Sequence, residues 1–310
     1  MAVAVAAGHN SANGIYIPEV WLAEAQYRYY TKTFRRETTK TDYDGVLKER
    51  GNTVHVQWVP QMSSKPLSIA GTVVSDNPNP EKRTFTVNRA RYVAFKIDSI
   101  EDFQAGGFMS DSYQEEATKA LQEDIDREYL GDIYASAGAT NKGTTAGRES
   151  GLWNMGAVGA PRTLNAGNVV QWITDMSSVA DEARWPTVGR YVIIPVWIYN
   201  LLLNSDLKSA FITGDPRSIL RETDGMIGSV ARFTFYISNL MSYTTSGGHT
   251  GWNVIFGEPA AVQTVDQFTE VKIGMESVEA VGKFSRVVNV YDWEAMKPEG
   301  LGWSHVKPAA

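Results

Sequence analysis

The sequence SDSYQEEATKALQEDIDREYLGDIYASAG, residues 110–138, predicts one long α-helix around which the rest of the chain is organised. Apolar residues recur at every fourth position, at Tyr113, Ala117, Leu121, Ile125, Tyr129 and Ile133. This spacing keeps them on one slowly drifting stripe of a helix, and Gly138 is a suitable stop. About twenty-five residues at helical rise span about 37 Å, so the segment predicts a strut against which flanking segments pack.

The opposite face of this helix is acidic. The stretch holds eight carboxylates against only Lys119 and Arg127, and the whole chain has a formal net charge of −6. Acid–base hydrolysis needs two carboxyl groups that converge on one bond, whereas neighbours such as Asp124 and Asp126 do not face each other on a helix. The favoured interpretation is a solvated face, and catalytic carboxylates are the alternative.

The composition indicates a globular protein and excludes several classes. At 310 residues and 43% hydrophobic the chain can form two ordinary domains or one elaborated domain. It has no cysteine, which excludes disulfides and thiolate metal sites. A pI near 5.4 argues against tight nucleic-acid binding as the main task. No run of eighteen apolar residues is present, so no membrane span is expected, and the first ten residues do not form a convincing signal peptide.

Two segments upstream of the helix predict a long β-hairpin. From Thr53 to Val59 apolar and polar residues alternate, with Val54, Val56 and Trp58 on one side. Residues 83–98 predict a single strand of about fourteen residues, longer than usual. A two-stranded ribbon is marginal in water, and a long edge invites pairing with another chain. We therefore expect a neighbouring copy of the chain to support this hairpin.

The rest of the chain mixes helices and strands without a regular βαβ rhythm, which predicts an α+β fold. The expected helices are residues 168–185 and 196–204, and the expected strands are residues 191–194, 233–237, 268–273 and 286–293. The Gly- and Ser-rich segment 242–251 predicts a flexible loop.

No segment predicts catalysis, a cofactor or a metal. None of His9, His55, His249 and His305 has the short helical spacing of a metal-binding pair. The order of Lys142-Gly143-Thr144 is wrong for a phosphate-binding loop, which needs Gly before Lys before Ser or Thr. We therefore expect no catalytic, cofactor-binding or metal-binding residues and no enzyme activity.

Four segments together resemble the major capsid proteins of tailed double-stranded DNA bacteriophages. One block runs from Gly225 to Gly228 and continues with Phe233, Tyr236 and Ser238-Asn239-Leu240, and the segment RYVIIP at 190–195 precedes it. Residues 92–98, YVAFKID, followed by a long acidic helix, are similar to the return strand of the family's extended loop and its spine helix. The tail from 270 to 293 is similar to the closing strands, and the resemblance spans about residues 45–300. One departure is Arg232, where many relatives have Gly.

The resemblance implies the Hong Kong 97-type capsid fold, divided into four parts. These are an N-terminal arm at 1–45, an extended-loop hairpin at 46–98, a peripheral domain at 99–145 and 266–310 with a spine helix at about 110–137, and an axial domain at 146–265. Some relatives begin with a removable scaffolding segment of about a hundred residues, and its absence here predicts a separate scaffolding protein or a processed chain.

The resemblance also implies a function and partners. It implies a structural subunit that self-assembles into pentamers and hexamers of an icosahedral shell around double-stranded DNA, made in the bacterial cytoplasm and located in the virion capsid. Expected partners are other copies, a scaffolding protein, a portal, possible decoration proteins and non-specifically contacted DNA, with no membrane. An encapsulin-like nanocompartment shell and a hydrolase are the alternatives. The candidate inter-subunit residues are Trp58, Phe85, Arg35 and Arg36. The candidate lumen-facing acids are Glu123, Asp124 and Glu128.

Overall fold

The structure is a computed structural model, and it describes residues 29–44, 52–59, 62–67, 69, 71–73, 75, 77, 79–97, 108–205, 226–276 and 283–309. These residues form an α+β fold with three sheets. The helices are α1 (Arg35–Thr38), α2 (Phe108–Asp132), α3 (Val169–Glu182) and α4 (Val196–Leu203). The strands are β1 (Thr53–Trp58), β2 (Glu81–Thr86), β3 (Arg89–Ile97), β4 (Arg162–Leu164), β5 (Arg190–Ile194), β6 (Met226–Val230), β7 (Phe233–Ile237), β8 (Tyr243–Ser246), β9 (His249–Gly257), β10 (Gln263–Glu276), β11 (Lys283–Glu294) and β12 (Leu301–Pro308).

The long helix is confirmed, and its apolar stripe faces the core. It runs over 25 residues and ends at Asp132, after which residues 133–136 form one turn of 3₁₀-helix. Ala117, Leu121, Ile125 and Tyr129 are all 5% exposed or less, whereas Tyr113, near the start of the helix, is 47% exposed. The spacing of four therefore identified the buried face of α2, and the stripe is best covered in its second half.

The predicted single strand at 83–98 is wrong, because the chain changes sheets in its middle. β2 pairs with β1 in a two-stranded ribbon, whereas β3 pairs with β11 in the three-stranded sheet β10-β11-β3. The break lies at Val87 and Asn88, where the Asn88 N–H donates to Asp292 at 2.9 Å. The alternation continues through the break, so periodicity alone did not reveal it.

The ribbon β1-β2 has the predicted alternation and a small core of its own. Val54, Val56 and Trp58 are half-buried on one side, and the residues between them are exposed. Phe85 and Val87 are buried with Val265 and Met296 in a cluster that is separate from the main core. Its two strands are antiparallel over six residue pairs.

The seven-stranded sheet, with the main path β4-β12-β9-β5-β7-β6 and β8 beside β9, holds most of the core. β5 is buried along its whole length between β7, which is parallel, and β9, which is antiparallel. The terminal strand β12 pairs with β9 and β4, so residues 301–308 lie in the sheet built by the expected axial segment. Sequence reasoning had grouped these residues with the peripheral segment, since strand order in a sheet is not visible in local pattern.

The segment 242–251 is a β-hairpin and not the expected flexible loop. β8 and β9 pair through four residue pairs around Gly247-Gly248, whose φ values are +60° and +78°. Only glycine adopts two consecutive positive φ values without strain, so the glycines here build a tight turn. The turn between β6 and β7 has the same conformation without glycine, since Ala231 and Arg232 have φ of +48° and +69°. Arg232 therefore keeps the turn, but its positive φ strains the backbone at that residue.

Candidate assembly site: the arm, the ribbon and the long helix

The N-terminal arm, residues 29–44, docks on the start of β10 through backbone hydrogen bonds. The Lys40 N–H donates to the Val262 carbonyl at 3.0 Å, and the Thr264 N–H donates to the Lys40 carbonyl at 2.8 Å. Phe34 is 1% exposed and packs its ring 5.0 Å from that of Tyr236. The described arm is therefore an integral part of the subunit and not a loose tail.

A buried carboxylate of α2 caps the helical turn in the arm. Asp126 is 1% exposed and accepts hydrogen bonds from the backbone N–H groups of Arg35, at 2.9 Å, and Phe34, at 3.3 Å. Burial raises the pKa of Asp126 from 3.8 to about 6, although these two N–H donors and Arg35 act in the opposite direction. Sequence reasoning counted Asp126 among the solvated acids. Its position three residues before Tyr129, at the edge of the apolar stripe, was the sequence feature that indicated burial.

A second carboxylate fixes both arginines of the arm. Asp266 accepts from Arg35 Nη2 at 2.7 Å and from Arg36 Nη2 at 2.5 Å, and Arg35 also donates to the Thr264 hydroxyl. Desolvation raises the pKa of Asp266, but the two arginines outweigh it and the net pKa is lowered. The Arg35 side chain is 9% exposed and bonds within its own subunit, and its assignment as an inter-subunit contact stays a prediction. Arg36 is 70% exposed and keeps a free flank.

Two arginines of β3 neutralise part of the predicted acidic face. Arg89 pairs with Glu128 at 2.7 Å and with Asp132 at 2.6 Å, and Arg91 pairs with Glu128 at 2.8 Å. The Tyr291 hydroxyl donates to Glu128 at 2.8 Å. Desolvation raises the pKa of Glu128, yet these donors outweigh it and the net pKa is lowered. The Glu128 side chain is 26% exposed and faces the sheet, and its assignment as a lumen-facing acid stays a prediction.

The two other candidate lumen-facing acids are also paired, and of the three only Asp124 is about half exposed, at 47%, whereas Glu123 is 19% exposed. Arg127 donates to Glu123 at 2.8 Å and to Asp124 at 2.5 Å along the helix. Arg91 approaches Asp124 at 3.6 Å from the strand. Because the strand supplies two arginines and Asp126 is withdrawn into the core, α2 presents a weaker negative charge than its own sequence suggests.

The two candidate residues on the ribbon have different surroundings. Phe85 is 0% exposed and lies in the ribbon's own cluster, with its ring 6.4 Å from that of Tyr43. It has no exposed surface within the subunit, and its assignment as an inter-subunit contact stays a prediction that Phe85→Ala tests. Trp58 is half-buried, with the guanidinium of Arg83 4.6 Å and the ammonium of Lys297 5.8 Å from its ring centre. It remains a candidate contact.

The segment between β1 and β2 exposes a set of large apolar side chains. Those between 64% and 110% exposed are Val59, Met62, Leu67, Ile69 and Val73. Ile69 is fully solvated within the subunit and the other four are about two thirds or more exposed, which is unusual for so many apolar residues in one segment. We call this set the apolar tip, and the subunit by itself does not cover it.

The described residues show neither a metal-binding cluster nor a helix able to cross a membrane. Within them no group of three or more His, Asp or Glu side chains is arranged to hold a metal ion. None of the helices described in the chain is both long and apolar enough for a membrane span. Among the acids of α2, Glu123 and Glu128 are engaged by arginines and Asp126 by backbone N–H groups.

A docked arm, a ribbon with an uncovered apolar tip, and a long helix that shares one core with a narrow sheet and a larger sheet define a subunit of the Hong Kong 97-type capsid class. A family model described as "Phage capsid protein" matches residues 81–301, and the chain belongs to that family. No curated protein sequence matches the chain.

Solved structures agree with this assignment. A chain from Mycobacterium phage Che8 superimposes with a TM-score of 0.70 at 20% identity, covering 93% of this chain and 96% of the other. A chain from the capsid structure of the cyanophage P-SCSP1u gives 0.69 at 13% identity, covering 96% and 94%. A chain from the mature capsid of bacteriophage PhiM1 gives 0.62 at 12% identity, covering 94% and 92%. At these identities the structures establish the fold, and the family model establishes the class.

The protein is therefore a structural major capsid protein, and its place is the virion capsid, where copies associate into a shell. Nothing in the comparisons favours the encapsulin or the hydrolase alternative.

Proposed function

We propose that this subunit assembles into pentamers and hexamers of an icosahedral shell that encloses a double-stranded DNA genome, with the ribbon resting on an adjacent copy. The observation that carries the proposal is the apolar tip. A two-stranded ribbon is marginal in water, and its six-pair ladder has a buried cluster only near Phe85. The tip lies beyond that cluster, so it gains stability only when another surface covers it.

The magnitude of this contact is substantial. Burying one large aliphatic side chain contributes about 1.5–3 kcal/mol, so covering several residues of the tip contributes several kcal/mol per subunit. Each subunit in a ring both provides a tip and receives one, which makes the contact heterologous and able to close into rings.

The observed contacts support a revised division of the chain into parts. We assign the arm to residues 1–45 and shorten the extended loop to 46–88, because β3 belongs to the three-stranded sheet. The peripheral part is then α2 with β3, β10 and β11. The axial part is residues 146–262 together with β12.

The expected partners follow from this function. Assembly occurs in the host cytoplasm with a scaffolding protein and a portal, and decoration proteins are further candidates for the outer surface. The protein performs no chemistry of its own in this role. Packaged DNA contacts the inner wall without sequence specificity, and the reduced negative charge of α2 weakens any repulsion from that wall. Removing Glu123 and Asp124 together, as Gln and Asn, tests the location of α2. If α2 lines the lumen, DNA packaging changes in a salt-dependent way.

Electron microscopy of the purified protein tests the central proposal. Wild-type protein should form closed shells or rings. A variant with Met62, Leu67 and Ile69 all changed to Ser should remain folded by circular dichroism but should assemble poorly. Ser64→Ala, in the same segment, is the matched control and should assemble normally. Normal shell yields from the triple variant would contradict the role of the ribbon, and wild-type protein that remains monomeric under all assembly conditions would contradict the function itself.

A further inference from the structure

The groove beside Asp126 is the feature of the subunit that the capsid function leaves unexplained. It lies between α2 and β10, has a volume of about 330 Å³ and is open to solvent. Its lining includes Thr33 of the arm, Gln122 and Asp126 of α2, and Val271 of β10. A carboxylate that the arm buries therefore keeps contact with a space that water and protons can enter.

The arm itself causes the burial of this carboxylate. Phe34 and Arg35 cover Asp126 and donate both of their N–H groups to it. Without the arm, Asp126 is a side chain on the face of a helix, next to an open groove. Covering a carboxylate removes it from water, which disfavours its ionised form. Docking and proton binding at this residue are thus coupled by geometry.

We propose that docking of the arm on α2 is linked to the uptake of one proton by Asp126, so that the arm is held more tightly in mildly acidic solution than at neutral pH. A neutral carboxyl group retains one acceptor oxygen for the shorter bond from Arg35, at 2.9 Å. Protonation of the other oxygen weakens only the longer bond, from Phe34 at 3.3 Å.

The other charged groups around Asp126 set the limits of this effect. Those that face it are Arg35 and Glu37 of the arm, Tyr129 of α2, and Arg36 and Asp266 at the groove. Arg35 favours the ionised carboxylate and Glu37 disfavours it, but burial outweighs both. Asp266 acts in the opposite sense, because its pKa is lowered when the arm is docked. Docking therefore weakens again in strong acid, when Asp266 binds a proton and its bonds with the arginines are lost.

The sign and size follow from proton linkage. The docked pKa of Asp126 is about 6 and its ordinary value is 3.8. The docked state binds more protons between these values, so docking is strongest near the lower one and weakens as pH rises to the upper one. Between pH 5 and pH 7 the docking equilibrium constant falls by about tenfold, with no further loss above pH 7.

Hydrogen exchange of the full-length subunit tests the proposal. Backbone amides of residues 30–38 are measured by mass spectrometry at pH 5 and pH 7, with correction for intrinsic exchange. In wild-type protein the protection factor of the Phe34 and Arg35 amides should fall about tenfold at pH 7. Asp126→Asn should remove this difference. Asp124→Asn, which neutralises an exposed acid on the same helix, is the matched control and should keep it.

Several outcomes overturn the proposal. One is equal wild-type protection at both pH values, and another is the full tenfold difference persisting in Asp126→Asn. Glu37→Gln provides a second variant outside the buried site. It removes a neighbouring acid, so the midpoint of the pH dependence should shift downward, and an unmoved midpoint would assign the proton to another group. The test does not depend on shell formation, so it is separable from the proposed function.

Discussion

Phe85→Ala distinguishes a residue that holds the ribbon to its own subunit from one that contacts a neighbour. Phe85 is 0% exposed and packs with Val87, Val265 and Met296. Truncating a buried Phe to Ala generally costs about 3–5 kcal/mol. The half-buried Tyr43 ring, 6.4 Å from that of Phe85, and flexible Met296 can move into the space. We therefore expect the lower end, about 3 kcal/mol.

The assay is urea unfolding of the unassembled subunit, combined with hydrogen exchange of β1 and β2. The loss should appear as faster exchange in the ribbon together with a lower unfolding midpoint. Thr84→Ala is the matched control, because Thr84 is the exposed neighbour of Phe85 on the same strand, and it should change stability by less than about 0.5 kcal/mol. An unassembled Phe85→Ala subunit as stable as wild type, with a defect only in shell formation, would refute the intra-subunit role.

Three further changes test other details of the fold. Gly251→Ala should destabilise the subunit by about 2 kcal/mol or more, because the new methyl group would lie 2.4 Å from Nε2 of His305. Gly131→Ala in α2 should instead stabilise the subunit by about 0.5–1 kcal/mol, because its methyl group meets no atom within 4 Å. Thermal unfolding measures both changes. Arg232→Gly should stabilise the subunit by about 1 kcal/mol in the same assay, because glycine adopts the φ of +69° at this position without strain. A lower melting temperature would contradict this and would mean that the ion pair of Arg232 with Asp181 outweighs the strain. Hydrogen bonds from Ser150, which outweigh desolvation, hold the pKa of Glu182 at about 2, so wild type should lose stability as pH falls from about 4.5 to about 2. Glu182→Gln lacks this ionised group and should not show that loss. Equal acid sensitivity of variant and wild type would contradict this.

Local pattern was sufficient for most of the elements. The stripe of α2, the alternation of β1 and the short strand β7 were all predicted within a few residues, because each depends on which side chains face a core in an isolated segment. The order of the capsid-like segments along the chain also predicted the fold class. Composition was informative too, since it excluded thiolate sites and disulfides without any structure.

Only the tertiary structure decided which segments share a sheet and which charges meet. The chain passes from ribbon to sheet at Asn88 without a change of alternation, and the acids of α2 meet Arg89 and Arg91 from a strand nearly forty residues away in sequence. Asp126 belongs to the same acidic run, yet it is buried because a helical turn near the N-terminus covers it. Charge and burial at these positions depend on contacts between distant segments. The sequence therefore determined the elements and the class, while the folded chain determined which carboxylates of α2 meet arginines and which one is buried.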